Sequence, residues 1–226
     1  MILIKSPKHN EEINQLNSMY PTKMICITEP YEFSENSSST MFGFVTQGTF
    51  EITSGNQTWL VQEGNFMSLK TKFSVNPLKN NSKMFAIIRY GYHGLDLVGK
   101  VESTGRLAYI DGCTDTLLVS PPRKGDACLN HLHFPKNITQ TQHLHPSIRM
   151  GIVTNGEGSA FQKDSWEHPL IKGSMFCLPE GEVHSFKTST QTMDIIAYHP
   201  DSDFGPTDEN HPMLNKTLIN HGVTNQ

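Results

Sequence analysis

The sequence has few cysteines, no strong excess of either charge and no long apolar run. The four cysteines lie far apart without a CxxC pair, which excludes a zinc ribbon and a thioredoxin-type redox site. The net charge of −4 argues against a dedicated nucleic-acid-binding protein, which usually carries a basic excess. No apolar run approaches the roughly 18–20 residues that cross a bilayer. We therefore expect neither a nucleic acid nor a membrane as a partner.

We also expect no secretory signal, because only a four-residue apolar start precedes Lys5. We therefore expect a cytoplasmic protein whose cysteines are free thiols. The chain of 226 residues is 36% apolar, which is sufficient for one large domain or two small ones. Apolar residues are spread along the whole chain, so disorder throughout is not expected.

Short apolar segments separated by turn residues dominate the chain. Residues 50–53 and 58–61 alternate on either side of the polar turn 54–56, as in a β-hairpin. A helix is expected only over residues 11–19. The spacing of the segments is typical of an all-β sandwich or barrel. Further strands are expected at 83–90, 150–153, 158–161, 174–178 and 193–198.

The two halves of the chain repeat one pattern of glycines at an offset of about one hundred residues. In the first half a strand ends at Gly48, and Gly64 opens a later apolar strand. Gly156 and Gly173 take these places in the second half. This pattern predicts two copies of one small β unit. His9 is the only histidine in the first ninety residues, so we expect the first copy to be a scaffold.

Three histidines in the second half are suited to a metal site. His143 and His145 are two residues apart and would face the same side of a strand. His184 follows the strand that Gly173 opens, and the turn 179–181 is expected to bring it back to the pair. Converging neutral imidazoles are typical ligands of divalent transition metals.

Residues 137–184 resemble the two motifs of the cupin superfamily, G-x5-H-x-H-x3,4-E-x6-G and G-x5-P-x-G-x2-H. The second motif is matched at every fixed position from Gly173 to His184. The first is matched at His143, His145 and Gly156. The glycine repeat extends a fainter resemblance over most of the chain, so the protein looks like a bicupin.

Two positions depart from the first motif. Asn137 replaces the opening glycine, a mild change because asparagine also tolerates positive φ. Arg149 stands where the family usually has a glutamate ligand. A guanidinium stays protonated and has no lone pair to offer, so Arg149 cannot be a fourth ligand.

The resemblance implies an all-β tandem cupin with two double-stranded β-helix, or jelly-roll, barrels. It implies the following division: a degenerate N-terminal unit at 1–100, a connecting segment at 101–126, a metal-binding unit at 127–198 and an irregular tail at 199–226. The tail is a candidate lid that would bring Glu209 or His211 to the pocket. Because sandwich edges are often covered by a partner, we also expect a homodimer.

The resemblance also implies that His143, His145 and His184 are the metal ligands. Either the site is a three-histidine site, as in some cupin-type dioxygenases, or it has lost its metal. For the former we expect Fe(II), while Mn, Ni, Co and Zn also suit imidazole ligands. An inward-facing Arg149 would make the pocket strongly positive and would bind a small anionic or enolisable substrate. Alternatively, Arg149 points outward or pairs with Glu182 or Asp194.

Two other histidines and one tyrosine are further candidates. His131 and His133 share one face of the strand before the first motif, either lining the pocket as acid–base groups or serving as structural residues. Tyr198 is a candidate substrate-binding residue. Two other functions stay open at this stage. One is a non-catalytic small-molecule-binding or sensor cupin, and the other is a metal-independent sugar isomerase or epimerase that uses His131, His133 and Tyr198.

Overall fold

The structure is a computed structural model that describes residues 2–6, 11–34, 38–70, 72–103, 105–207 and 209. Its regular structure is almost entirely antiparallel β-strand. Within these ranges the single helical element is a short 3-10 turn at Ile110–Gly112. No helix in these ranges is long and apolar enough to cross a membrane.

The first half of the chain builds two sheets. Its strands are β1 (Leu3–Lys5), β2 (Glu12–Gln15), β3 (Thr22–Ile27), β4 (Tyr31–Phe33), β5 (Ser39–Gln47), β6 (Thr49–Ser54), β7 (Gln57–Gln62), β8 (Asn65–Lys70), β9 (Phe73–Pro77), β10 (Lys83–Tyr90) and β11 (Leu97–Lys100). One sheet has six strands in the order β11-β8-β5-β10-β3-β2, and the other has four in the order β4-β9-β6-β7.

The second half contributes eight strands to a nine-stranded sheet, which β1 completes. Its strands are β12 (Leu107–Ala108), β13 (Thr114–Val119), β14 (Cys128–Phe134), β15 (Arg149–Gln162), β16 (Trp166–Ile171), β17 (Met175–Leu178), β18 (Ser185–Lys187) and β19 (Met193–His199). The main path runs β1-β17-β15-β19-β14-β13-β12, while β16 and β18 pair with the second part of β15.

Central strands are buried on both faces, and alternate residues enter different cores. In β10, Phe85 and Ile87 pack against the nine-stranded sheet, while Met84 and Ile88 belong to the core shared with the four-stranded sheet. Between the two large sheets the rings of Phe42 and Tyr198 have centroids 5.1 Å apart. The period of two along a strand produces this division.

A third core fills the concave side of the nine-stranded sheet, on the face opposite the core that it shares with the six-stranded sheet. Residues from β14, β15, β17 and β19 contribute to it, and Phe134 and Phe176 pack there against Phe186. Ile195 and Ala197 of β19 point into this core, whereas Ile196 and Tyr198 point into the core between the sheets. The candidate metal site lies on the concave side.

Several sequence-based predictions are confirmed, and one is wrong. The hairpin is β6–β7, and β10 has the predicted bounds. The helix expected at residues 11–19 is wrong, since β2 pairs there with β3. Ile13 is buried beside Met24, so burial in the sheet outweighs a weak helical pattern.

Two features of the nine-stranded sheet cross the expected domain boundaries. The segment 101–126 contains β12 and β13, which extend the nine-stranded sheet instead of serving as a plain connection. Strand β1 pairs with β17, so residues 3–5 belong to the sheet of the second half. The division into two cupin units stays a prediction.

Candidate metal centre

His143, His145 and His184 converge on one point. One nitrogen from each histidine lies within 4.8 Å of the corresponding nitrogens of the other two. The backbone joins two of them directly: the His143 N–H donates to the His184 carbonyl at 2.9 Å, and the His184 N–H donates to the His143 carbonyl at 2.8 Å. The pair was expected on a strand, but this exchange is an isolated bridge between the β14–β15 and β17–β18 connections.

The turn at residues 179–182 places His184 as predicted. The Glu182 N–H donates to the Pro179 carbonyl at 3.3 Å, and Gly181 has a φ of 70°. The Gly181 N–H donates to the His145 carbonyl at 2.9 Å, which ties the turn to the first pair of histidines. Asn137 has a φ of 58°, so asparagine supplies the positive φ expected at that position.

Hydrogen bonds fix the orientation of two imidazoles. The Nδ1 atom of His143 lies 2.9 Å from the Thr141 carbonyl, and that of His184 lies 2.8 Å from the Glu182 carbonyl. Because a carbonyl only accepts, each Nδ1 carries the proton and each Nε2 presents a lone pair. The buried Nε2 of His184 has no hydrogen-bond partner in the described part of the chain. A metal ion would satisfy this atom, so the residues fit a metal.

The surroundings favour the neutral form of two of the three imidazoles, those of His145 and His184. Burial, followed by the nearby Arg149 cation and the other two imidazoles, lowers the pKa of His145 to about 3. Burial also lowers the pKa of His184 to about 4, although its hydrogen bond to the Glu182 carbonyl acts in the opposite direction. Neutral imidazole is the form that binds a metal.

The cavity at the three histidines has a mostly apolar wall. Its other polar lining residues are Tyr109, Gln140, Arg149 and His199. Such a wall limits the access of water and explains why burial is the main cause of the lowered pKa values. The apolar lining residues are Leu132, Met150, Phe176, Leu178, Phe186, Ile195 and Ala197.

Arg149 opens β15 and lines the cavity, but its charge is already paired. Its Nη1 lies 3.0 Å from an Asp201 carboxylate oxygen and 3.0 Å from the Ile148 carbonyl, and it also donates to the Ser147 hydroxyl. The partner is therefore Asp201 instead of Glu182 or Asp194. This pair corrects the expectation of a strongly positive pocket. The buried Nε of Arg149 has no partner among the described residues.

His131 and His133 lie on the other face of β14. Leu132, between them, is the residue of this strand that lines the cavity. His131 Nε2 lies 3.1 Å from Asp194 Oδ1, and His133 Nδ1 lies 2.7 Å from the same oxygen. Asn155 donates to the second oxygen of Asp194 at 3.2 Å. The structure therefore places these histidines in a structural cluster, away from the three ligand candidates.

Tyr198 is also away from the cavity. It is fully buried in the core between the two large sheets, and burial raises the pKa of its phenol. Its neighbours in sequence, Ala197 and His199, have the opposite orientation and line the cavity. The alternation of β19 thus assigns Tyr198 to packing and His199 to the site.

Four site residues were missed by the sequence analysis: Tyr109, Gln140, His199 and Asp201. His199 shares a strand face with Ile195 and Ala197, and its ring centroid lies 6.2 Å from that of His145. Burial lowers the pKa of His199 well below its usual value. Its position could have been inferred by extending the predicted strand 193–198 by one residue.

The segment after β19 forms one wall of the cavity mouth. Asp201, Ser202, Asp203 and Phe204 line it. The Gly125 N–H holds this segment by donating to the Ser202 carbonyl at 2.9 Å. Glu209 is exposed and does not line the mouth, while His211 lies outside the described residues. The lid stays a prediction.

All four cysteines lie inside the protein, and Cys128 also lines the cavity mouth. All are free and buried, as expected for packing residues. Burial raises the pKa of the Cys177 thiol to about 12, so the reactive thiolate is disfavoured.

Solved structures share this architecture. Ylba from E. coli is 12% identical with a TM-score of 0.68, over 91% of this chain and 93% of that one. The cupin 2 conserved barrel domain protein from Leptotrichia buccalis is 16% identical with a TM-score of 0.57, over 87% and 92%. Salicylate 1,2-dioxygenase from Pseudaminobacter salicylatoxidans is 11% identical with a TM-score of 0.60, over 80% and 71%.

At such low sequence identities, the similarity to these three structures is evidence for the fold alone. No family model and no curated protein matches the chain. The strand architecture, the histidine cluster at the concave side of the second sheet and the structural neighbours agree with one another. The chain therefore has the cupin fold.

Proposed function

We propose that the protein is a metal-dependent cupin enzyme, specifically a three-histidine dioxygenase of the Fe(II) type that acts on a small molecule with an anionic group. The observation that carries this proposal is the convergence of His143, His145 and His184 with the buried Nε2 of His184 left for a ligand. The fold similarity to salicylate 1,2-dioxygenase supports the same class of reaction.

His143 and His184 would hold the metal through Nε2, because their Nδ1 protons are engaged by backbone carbonyls, and His145 would supply the third nitrogen. When bound, a divalent transition metal with three protein ligands supplies Lewis-acid and redox chemistry at open coordination positions. The apolar wall, including Phe176 and Phe186, excludes water from the reacting atoms.

Arg149 would bind and orient the anionic group of the substrate. Its Nη1 is held by Asp201 and by the Ile148 carbonyl, which fixes the guanidinium plane. Its unpartnered Nε is then a donor with a set direction. A charge-assisted hydrogen bond from this atom to a carboxylate or enolate would position the substrate in front of the histidines.

Metal analysis tests the proposal. We expect tag-free protein to contain about one redox-active metal per chain, and the His143→Ala and His184→Ala variants to contain almost none. The exposed His93 provides a matched control, since His93→Ala should retain the metal. Nitric oxide added anaerobically to the iron-loaded protein should give an electron paramagnetic resonance signal, because nitric oxide occupies an open position. Metal retained in both ligand variants would contradict the proposal.

A non-catalytic binding protein is the second candidate. It is favoured by Arg149, which replaces the usual carboxylate ligand and is engaged by Asp201. Metal-free wild-type protein that binds small carboxylates would support it. A metal-independent isomerase has less support, because His131, His133 and Tyr198 lie away from the cavity.

A further inference from the structure

The mouth of the site holds a second set of polar groups that the proposed chemistry does not use. A cavity of about 530 Å³ opens beside His145, Arg149 and His199. Asp115 on β13 and Asn130 on β14 line its far wall. Asn130 has the same strand parity as Leu132, which lines the histidine cavity, so the Asn130 side chain points to the concave side.

Two buried oxygens in this wall lack donors. The Asn130 Nδ2 donates to Asp115 Oδ2 at 2.8 Å. Because a carboxylate only accepts, this contact fixes the orientation of the amide. It leaves Asn130 Oδ1 and Asp115 Oδ1 buried, and neither has a hydrogen-bond partner in the ranges that the structure describes. Asn130 is only 5% exposed, so bulk water reaches it poorly.

The charges around the mouth favour a cationic or donor group. Asp115, Asp201 and Asp203 line it together with one guanidinium, that of Arg149. Arg149 pairs with Asp201, and Asp203 is exposed. The residues that line the cavity therefore include a buried, unpartnered donor, Arg149 Nε, and buried, unpartnered acceptors at Asp115 and Asn130. A ligand with one anionic group and one donor group would satisfy both.

We infer that Asp115 and Asn130 form a second polar subsite, which accepts hydrogen bonds from an amino group of a substrate whose anionic group binds Arg149. This inference rests on the proposed function, because it takes the mouth cavity as the route to the three histidines. It narrows the substrate class to small molecules that carry both an amino group and an anionic group.

Matched ligand pairs test the subsite. Isothermal titration calorimetry would compare 4-aminobutanoate, 6-aminohexanoate and 8-aminooctanoate with butanoate, hexanoate and octanoate. We expect one amino compound to bind about tenfold more tightly than its plain counterpart. Asp115→Asn and Asn130→Leu should each reduce this ratio to about threefold or less, with little change in the affinity for the plain carboxylate.

Asp203→Asn is the matched control, because it removes a carboxylate from the same cavity but from an exposed position. It should retain the preference for the amino compound. Equal affinities within every pair, binding of neither series, or the same loss in Asp203→Asn would overturn the subsite. The titrations are repeated on His143→Ala, which needs no metal. A preference that persists there supports the subsite even if metal analysis contradicts the proposed enzyme.

Discussion

The Arg149 guanidinium lies 3.0 Å from the Asp201 carboxylate, and this ion pair joins the start of β15 to the segment that follows β19. Both side chains are largely buried, at 11% and 19% exposure. The pair therefore sets how much positive charge the histidine cavity presents to a ligand. Because Asp201 pairs with this guanidinium, the presence of Arg149 at the usual glutamate position does not by itself make the pocket positive.

Removing the Asp201 charge should strengthen the binding of anions. In Asp201→Asn we expect butanoate to bind about two- to tenfold more tightly, because a partly screened countercharge is lost. Arg149 should keep its place through the Ile148 carbonyl and Ser147. Calorimetric titration measures the change, and Arg149→Gln serves as the control that should lose the effect. Weaker binding in Asp201→Asn would instead make Asp201 a positioning residue.

Metal binding should stabilise the fold through the three histidines. At a free metal concentration about 1,000 times Kd, linkage gives about 4 kcal/mol, which corresponds to a rise in Tm of about 10 °C for a chain of this size. His145→Ala and His184→Ala should show almost no rise, and chelation should reverse it in the wild type. Calorimetric melting curves test this, with His93→Ala as control. An equal rise in all variants would place the metal elsewhere.

The Asp194 cluster should make a pH-dependent contribution to stability. Burial alone would raise the pKa of Asp194, but hydrogen bonds from His131, His133 and Asn155 outweigh it and lower the pKa below 3.8. The charged carboxylate therefore stabilises the fold above pH 3.8, and this contribution is lost as the pH falls through the folded-state pKa.

We expect Asp194→Asn to lower the free energy of unfolding by about 1–3 kcal/mol near neutral pH. The difference in unfolding free energy between the variant and the wild type should decrease below pH 3.8, where the wild-type carboxylate becomes protonated. Urea unfolding at a series of pH values measures this difference. A difference that is constant down to acid pH would show that the charge of Asp194 is not responsible.

Gly156 should be intolerant of a side chain. Its φ is 66°, and an added Cβ would lie 1.8 Å from the Thr192 carbonyl oxygen. We expect Gly156→Ala to cost at least about 2 kcal/mol in urea unfolding, from strain and steric overlap. Gly173→Ala is the matched control, since Gly173 has a φ of 90° but open space around it, and strain alone should cost about 1 kcal/mol. Equal losses of unfolding free energy in the two variants would mean that backbone strain alone, without steric overlap, destabilises Gly156→Ala.

The strand pattern and the convergence of the three histidines were predictable because they depend on local signals. Turn glycines and alternating apolar residues specify the β6–β7 hairpin and β10. The spacing of the second motif specifies the turn that brings His184 back to His143 and His145. In each case the residues that decide the structure lie close together in the sequence.

Sequence patterns could not predict which face of a strand points to the cavity when the strand is buried on both sides. In β14 both faces carry polar and apolar residues, so alternation shows that His131 and His133 share a face without showing which one. For the same reason the sequence analysis selected Tyr198 of β19, whereas the residue of this strand that lines the cavity is His199. Asp201 was missed because its approach to Arg149 depends on the path of an irregular segment, for which sequence patterns give little information.

The pairing of β1 with β17 has a consequence for synthesis. Leu3 lies opposite Cys177, so the first strand leaves the ribosome long before its partner exists. At about 5–20 residues per second this wait is on the order of ten seconds. The six- and four-stranded sheets use only residues 12–100 and are fully translated before β17. We therefore expect β1 to dock last, when it pairs with β17 in the half of the chain that is translated second.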